Sequence, residues 1–96
     1  PDPEMMREII KVHFSGLDER LTQICIETFY KLRDLPGIEK RPATRELINW
    51  IRALKLDADF HLGEMEKGRI PYLGVLFKKS ADYAIAVSRT ARARRV

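Results

Sequence analysis

Arg41-Pro42-Ala43-Thr44-Arg45-Glu46-Leu47-Ile48-Asn49-Trp50-Ile51-Arg52-Ala53-Leu54 is the stretch that decides the fold class. Leu47, Ile48, Trp50, Ile51 and Leu54 recur at three- and four-residue spacing, which places them on one face of an α-helix. The helix begins after Pro42, and its cap is either Thr44 or Ala43. The second choice puts Glu46 in the capping-box position, but behind a residue with no side-chain acceptor. Trp50 lies between Leu47 and Leu54 on the stripe, so it reads as core and not as a base-stacking platform.

Working outward, Pro36-Gly37 closes the preceding helix. That helix is capped by Asp18 and carries Leu21, Ile24, Cys25, Thr28, Leu32 and Leu35 as its apolar stripe. Ser15-Gly16 separates it from a first helix, started by Asp2 at the cap and Pro3 where no amide proton is needed. Met5, Met6, Ile9, Ile10 and Phe14 form the first stripe. Downstream the pattern fails from Asp57 to Tyr72, where Gly63, Gly68 and Pro71 mark a long loop with room for a helical turn near Ala58–Leu62. Pro71-Tyr72-Leu73-Gly74-Val75-Leu76-Phe77 has strand-like composition but no partner strand, and reads as an apolar connector or a helical turn laid on the bundle. Tyr72 itself sits in a loop context that leaves its ring open to exposure at an interface. Ser80 is expected to cap a last helix, with Tyr83, Ala84, Val87 and Ala91 facing the core. The expectation is one domain over residues 1–96: an all-α, small bundle of four or five helices.

Composition agrees with a packed domain. Of the 96 residues 45% are hydrophobic and 33% charged, enough for a core inside a wet surface. The net charge of +4 belongs to one place, because Arg89, Arg92, Arg94 and Arg95 lie in the last eight residues. Without them the 14 acidic residues are balanced by 14 basic ones. The basic C-terminal tail, residues 89–96, reads as a solvated helix end whose cations meet the helix dipole favourably. A phosphate grip on nucleic acid and a contact with a neighbouring subunit remain the other readings of the tail. Lone Cys25 excludes an internal disulfide and suits a reducing compartment. No apolar stretch approaches the ~20 residues of a membrane span, and no secretory leader is visible. Pro1 in place of Met leads us to expect a fragment or a processed product.

Chemistry is sparse. Neither a phosphate-binding G-x-x-x-x-G-K-[S/T] loop nor a G-x-G-x-x-G turn is present. His13, His61 and Cys25 lack ligand spacing, so no metal site is expected. Ser15, Ser80 and Ser88 stand in no nucleophile context, and no catalytic residue is assigned. Lys40, Arg41 and Arg45 are the exception. They crowd the loop and first turn of the third helix, where the positive end of the helix dipole disfavours cations. On pattern alone, Arg45 either points into water or sits near an anion, since helix N-termini are natural phosphate sites.

Three segments together resemble the C-terminal lid region of MoxR-type AAA+ ATPases: Pro1-Asp2-Pro3-Glu4-Met5-Met6-Arg7-Glu8-Ile9-Ile10, Arg41 to Trp50, and Pro71-Tyr72-Leu73-Gly74-Val75-Leu76-Phe77-Lys78. The resemblance covers essentially the whole chain in order. It implies a helical lid that closes over ATP and Mg²⁺ held by an N-terminal AAA+ core of the same protein. It also implies that Arg45 matches the sensor 2 arginine, which reaches the phosphates, and that neighbouring subunits of a ring are partners. The parent implied is a cytoplasmic, ATP-driven remodelling or chaperone-like enzyme, and the chain alone is expected not to hydrolyse ATP. The competing reading is a free-standing helical nucleic-acid-binding module that uses the third helix and the Arg tail.

Overall fold

A computed structural model describes residues 1–95, with side chains through Thr90. Among the described residues every element is helical: α1 (Pro3–His13), α2 (Glu19–Arg33), α3 (Thr44–Leu56), α4 (Leu62–Glu66), α5 (Leu73–Leu76) and α6 (Ser80–Arg95). The all-α bundle is therefore observed, with two of its six helices only five and four residues long.

The helix starts follow from local chemistry. Asp2 accepts a hydrogen bond from the Met5 amide at 2.8 Å, and Asp18 from the Leu21 amide at 3.0 Å. Each satisfies one of the orphan donors of a first turn. α3 starts differently. Ala43 is its cap and Thr44 its first helical residue. Glu46 Oε1 reaches back to accept from the Ala43 amide at 2.9 Å. Alanine has no acceptor to return, so only half of a capping box forms and the α3 first turn lacks a side-chain cap.

α1 packs on α2 and α3, α3 on α5, α5 on α6, and α2 on α4. The core formed between them contains Met6, Ile10, Cys25, Phe29, Leu47, Trp50, Ile51 and Leu76, all fully or almost fully buried. Trp50 sits at 0% exposure and donates from Nε1 to the Pro71 carbonyl at 2.8 Å. That bond fastens the approach to α5 onto α3. The radius of gyration is 12.8 Å, against about 12.5 Å for a compact domain of this length.

All five inward residues expected on α3 are buried. Elsewhere four expectations need correction. Met5 is 58% exposed, because it lies about 100° around the helix from Met6 and outside the Met6-Ile10-Phe14 line. The α2 core face is Thr22, Cys25, Ile26, Phe29 and Leu32, while Leu21, Ile24, Thr28 and Leu35 are half-buried at its flank. The face is rotated because α2 is covered from two sides, by α1 and α4. The helical turn placed near Ala58–Leu62 forms instead at Leu62–Glu66. Asp57 Oδ1 accepts from the Asp59 amide at 2.9 Å, and its carbonyl accepts from the Phe60 amide at 3.2 Å. This turn competes with helix over those residues.

The fourth correction concerns α6. Ser80 is its first helical residue, and the cap position falls to Lys79, whose carbonyl accepts from the Tyr83 amide at 3.0 Å. Tyr83 is 43% exposed, Ala84 is exposed and Val87 half-buried; the buried positions are Asp82 and Ala86. The expectation for Ala91 lies outside the described side chains. So do those of the basic tail beyond Thr90, although the helix itself runs to Arg95.

Candidate functional site: the basic loop and the start of α3

Segment 34–43 joins α2 to α3, and residues 37–46, its later part with the first turn of α3, are held from several directions. Arg33, on the last turn of α2, donates from Nη1 to the Pro42 carbonyl at 2.5 Å. Asp82 of α6 accepts from two consecutive amides, Glu39 at 2.8 Å and Lys40 at 2.9 Å. Lys79 pairs with Glu39, and Lys78 Nζ lies 3.1 Å from Glu46 Oε2. Gly37 adopts φ +87°, and a Cβ there would come within 3.3 Å of Ile85 Cδ1. The conformation favours glycine here, and any larger residue would also press on the end of the Ile85 side chain.

On this frame the side chains of Lys40, Arg41 and Arg45 are exposed and form no ion pair among the described residues. Their carboxylate neighbours are already engaged. Glu46 is 8% exposed and holds both the Ala43 amide and Lys78. Burial alone would raise its pKa. The hydrogen bonds from Ala43 and Lys78, with the lysine charge, bring it below the ordinary glutamate range. Asp82 is also held below its ordinary value, by the Glu39 and Lys40 amides. Both carboxylates thus stay ionised and occupied with loop and cap, and the three cations face outward. The donor set suits a phosphate group: a guanidinium fork, two further cations and first-turn amides that no side chain caps.

The concave part of the surface lies elsewhere, and none of Lys40, Arg41 and Arg45 lines it. Residues 57–61, the approach to α5, and Tyr83, Val87 and Thr90 of α6 line an open cleft of about 470 Å³. The Tyr72 hydroxyl donates to Asp57 Oδ2 at 2.6 Å, and Tyr72 takes the left-handed conformation, φ 59°. The hydrogen bond to Asp57 raises the tyrosine pKa, so the phenol stays protonated, and its proton is already committed to the carboxylate. His13, His61 and Cys25 are not brought together, and no group of three potential metal ligands occurs among the described residues. Burial pushes the Cys25 thiol up to about 12, which leaves it unreactive. No helix among the described residues is long and apolar enough to cross a membrane.

Family models, curated proteins and solved structures give no match to this chain. The geometry alone identifies what sequence reading missed: Arg33, Lys78 and above all Asp82. One signal was available. Asp82 is the only acidic residue after Glu66, and a lone carboxylate in a basic segment invites the question of what it holds.

Proposed function

We propose that this chain is the lid subdomain of a MoxR-like AAA+ ATPase, closing over ATP held by an N-terminal core and presenting Arg45 to its phosphates. One observation carries the reading. Arg45 stands in the first turn of α3, exposed and without an ion-pair partner among the described residues, at a helix start with no side-chain cap. A cation there is opposed by the helix dipole unless an anion answers it. ATP with Mg²⁺ supplies that anion and the free energy of hydrolysis. Arg45 offers N–H donors in a planar fork and stays charged at any working pH. Lys40 and Arg41 add positive potential along the approach. Trp50 and the core stripe face the opposite side of α3, which keeps the helix seated while its outer face meets the core domain. Neighbouring subunits of a ring would feel any change in lid angle. The reading carries a cytoplasmic location with it, and a single buried thiol suits a reducing compartment.

The test is Arg45→Ala in the full-length ATPase that carries this chain. Losing a charge-assisted hydrogen bond to phosphate costs about 1.5–3 kcal/mol, so hydrolysis at saturating ATP should slow roughly ten- to a hundredfold. Arg52→Ala, two turns further along the same helix, should leave hydrolysis within about twofold of the parent. Hydrolysis unchanged by Arg45→Ala in assembled rings would remove the assignment. Micromolar binding of the chain to generic DNA or RNA at physiological salt would favour a nucleic-acid-binding module instead.

A further inference from the structure

We infer that Asp82, at the start of α6, is a positioning residue for Arg45: it fixes the basic loop and thereby where the arginine is presented. The inference rests on the reading of Arg45 as the phosphate-contacting side chain.

Asp82 is 1% exposed, and its two carboxylate oxygens are each taken by a different backbone amide, Oδ1 by Glu39 and Oδ2 by Lys40. Two adjacent N–H groups converging on one side chain demand a group that only accepts. A carboxylate meets this requirement. An asparagine of the same shape would turn its NH₂ toward one of the amides and leave that donor unpaired. The same end of α6 makes the other contacts to this loop: Lys79 to Glu39, Lys78 to Glu46, and Ile85 against Gly37. Glu46 in turn holds the Ala43 amide at the point where α3 begins. Apart from Arg33 on the Pro42 carbonyl and the Leu47 amide on the Ala43 carbonyl, the polar anchors of residues 37–46 come from Asp82 and the two lysines before α6, or from Glu46, which Lys78 holds. Arg45 follows two residues after the last fixed amide, so a loop displaced by an ångström carries the guanidinium with it. Misplacement on that scale costs up to about a hundredfold in rate when the group acts in the reaction.

A buried carboxylate can also be structural and nothing more, and a double-mutant cycle separates the two roles. Hydrolysis is measured in the full-length ATPase for Asp82→Asn, Arg45→Ala and the pair. The expected result is a kcat for Asp82→Asn lowered about tenfold, with little further loss when the substitution is made on top of Arg45→Ala. An independent structural defect would multiply the two losses instead. Undiminished loss in the Arg45→Ala background, or kcat within twofold of the parent for Asp82→Asn, overturns the inference while leaving Arg45 in place. An Arg45→Ala enzyme with normal hydrolysis overturns the underlying reading. If Asp82→Asn does not fold, Lys78→Met decides, because Lys78 is exposed and acts on the same segment through Glu46. Its kcat should fall severalfold and only when Arg45 is present; a kcat equal to the parent's then refutes the positioning role.

Discussion

Trp50 contributes in two ways that substitution can separate. Its ring fills the centre of the core, and its Nε1 holds the Pro71 carbonyl at 2.8 Å. Trp50→Ala removes both, and should destabilise the fold by about 3–5 kcal/mol, much of the stability of a domain this size. Trp50→Phe keeps most of the apolar volume but leaves the carbonyl without its donor, so about 1–3 kcal/mol should be lost. Chemical denaturation of the three proteins checks the order. A Trp50→Phe protein as stable as the parent would mean that water replaces the indole at Pro71. Arg45 contrasts with Trp50 at every point. It is exposed, on the outward face with Asn49 and Arg52, and its removal should shift stability by no more than about 0.5 kcal/mol. A residue whose loss slows the enzyme and spares the fold is what the proposed role requires.

At the scale of the element, α3 is the informative helix. Ala43 is a weak cap, and replacing it with serine would supply the missing acceptor for a first-turn amide. Ala43→Ser should stabilise the chain by about 0.5–1 kcal/mol, seen as a higher melting temperature. Under the proposed lid role the same hydroxyl would compete with phosphate for that amide, so hydrolysis should slow while stability rises. If both quantities rise, the first turn is not where the anion sits. The legibility of the helices follows the same physics. α3 was readable because Leu47, Ile48, Trp50, Ile51 and Leu54 are large and regularly spaced, and all are buried. α6 was readable as a helix but its inward face was not, since alanine and serine recur on all its sides and the residue that decides its orientation is a buried aspartate. The position of α4 depended on a turn built by Asp57, a local competition that periodicity does not register. Arg45 was visible as a cation in an unfavourable place. Asp82 showed only as a lone carboxylate in a basic segment; what it holds was not visible, because its partners lie 42 and 43 residues upstream and only the folded chain brings them together.

For the molecule as a whole, ion pairs are less informative than the two engaged carboxylates. Five of the six pairs among the described residues join side chains each more than a quarter exposed, and such pairs add little to stability. Asp82 and Glu46 differ in being buried, and both have pKa values lowered in the folded protein. A group with a depressed folded pKa contributes stability that is complete above its unfolded value and is lost as pH falls through the folded one. Thermal stability should therefore be nearly flat from pH 7 to about 5 and decline below about 4, where unfolded carboxylates take up protons. Melting curves of the parent and Asp82→Asn between pH 7 and 2.5 test this. The variant should start lower and decline less steeply, and parallel curves would show that Asp82 is not a source of the acid sensitivity.

The grip of α6 on the loop also imposes an order in time. Glu39 leaves the ribosome 43 residues before Asp82, about 2–9 s earlier at ordinary rates of synthesis. During that interval α1, α2 and α3 can pair through their own stripes, but the basic loop has nothing to fasten it. The site is thus among the last parts of the chain to take shape, and a polypeptide interrupted before α6 would have a partial core without a positioned arginine. Hydrogen exchange on a chain ending at Lys79 would show it: fast exchange at the Glu39 and Lys40 amides beside slower exchange in α3. Equal protection of those two amides in the shortened and full chains would mean that the loop sets itself, and that α6 merely docks onto it.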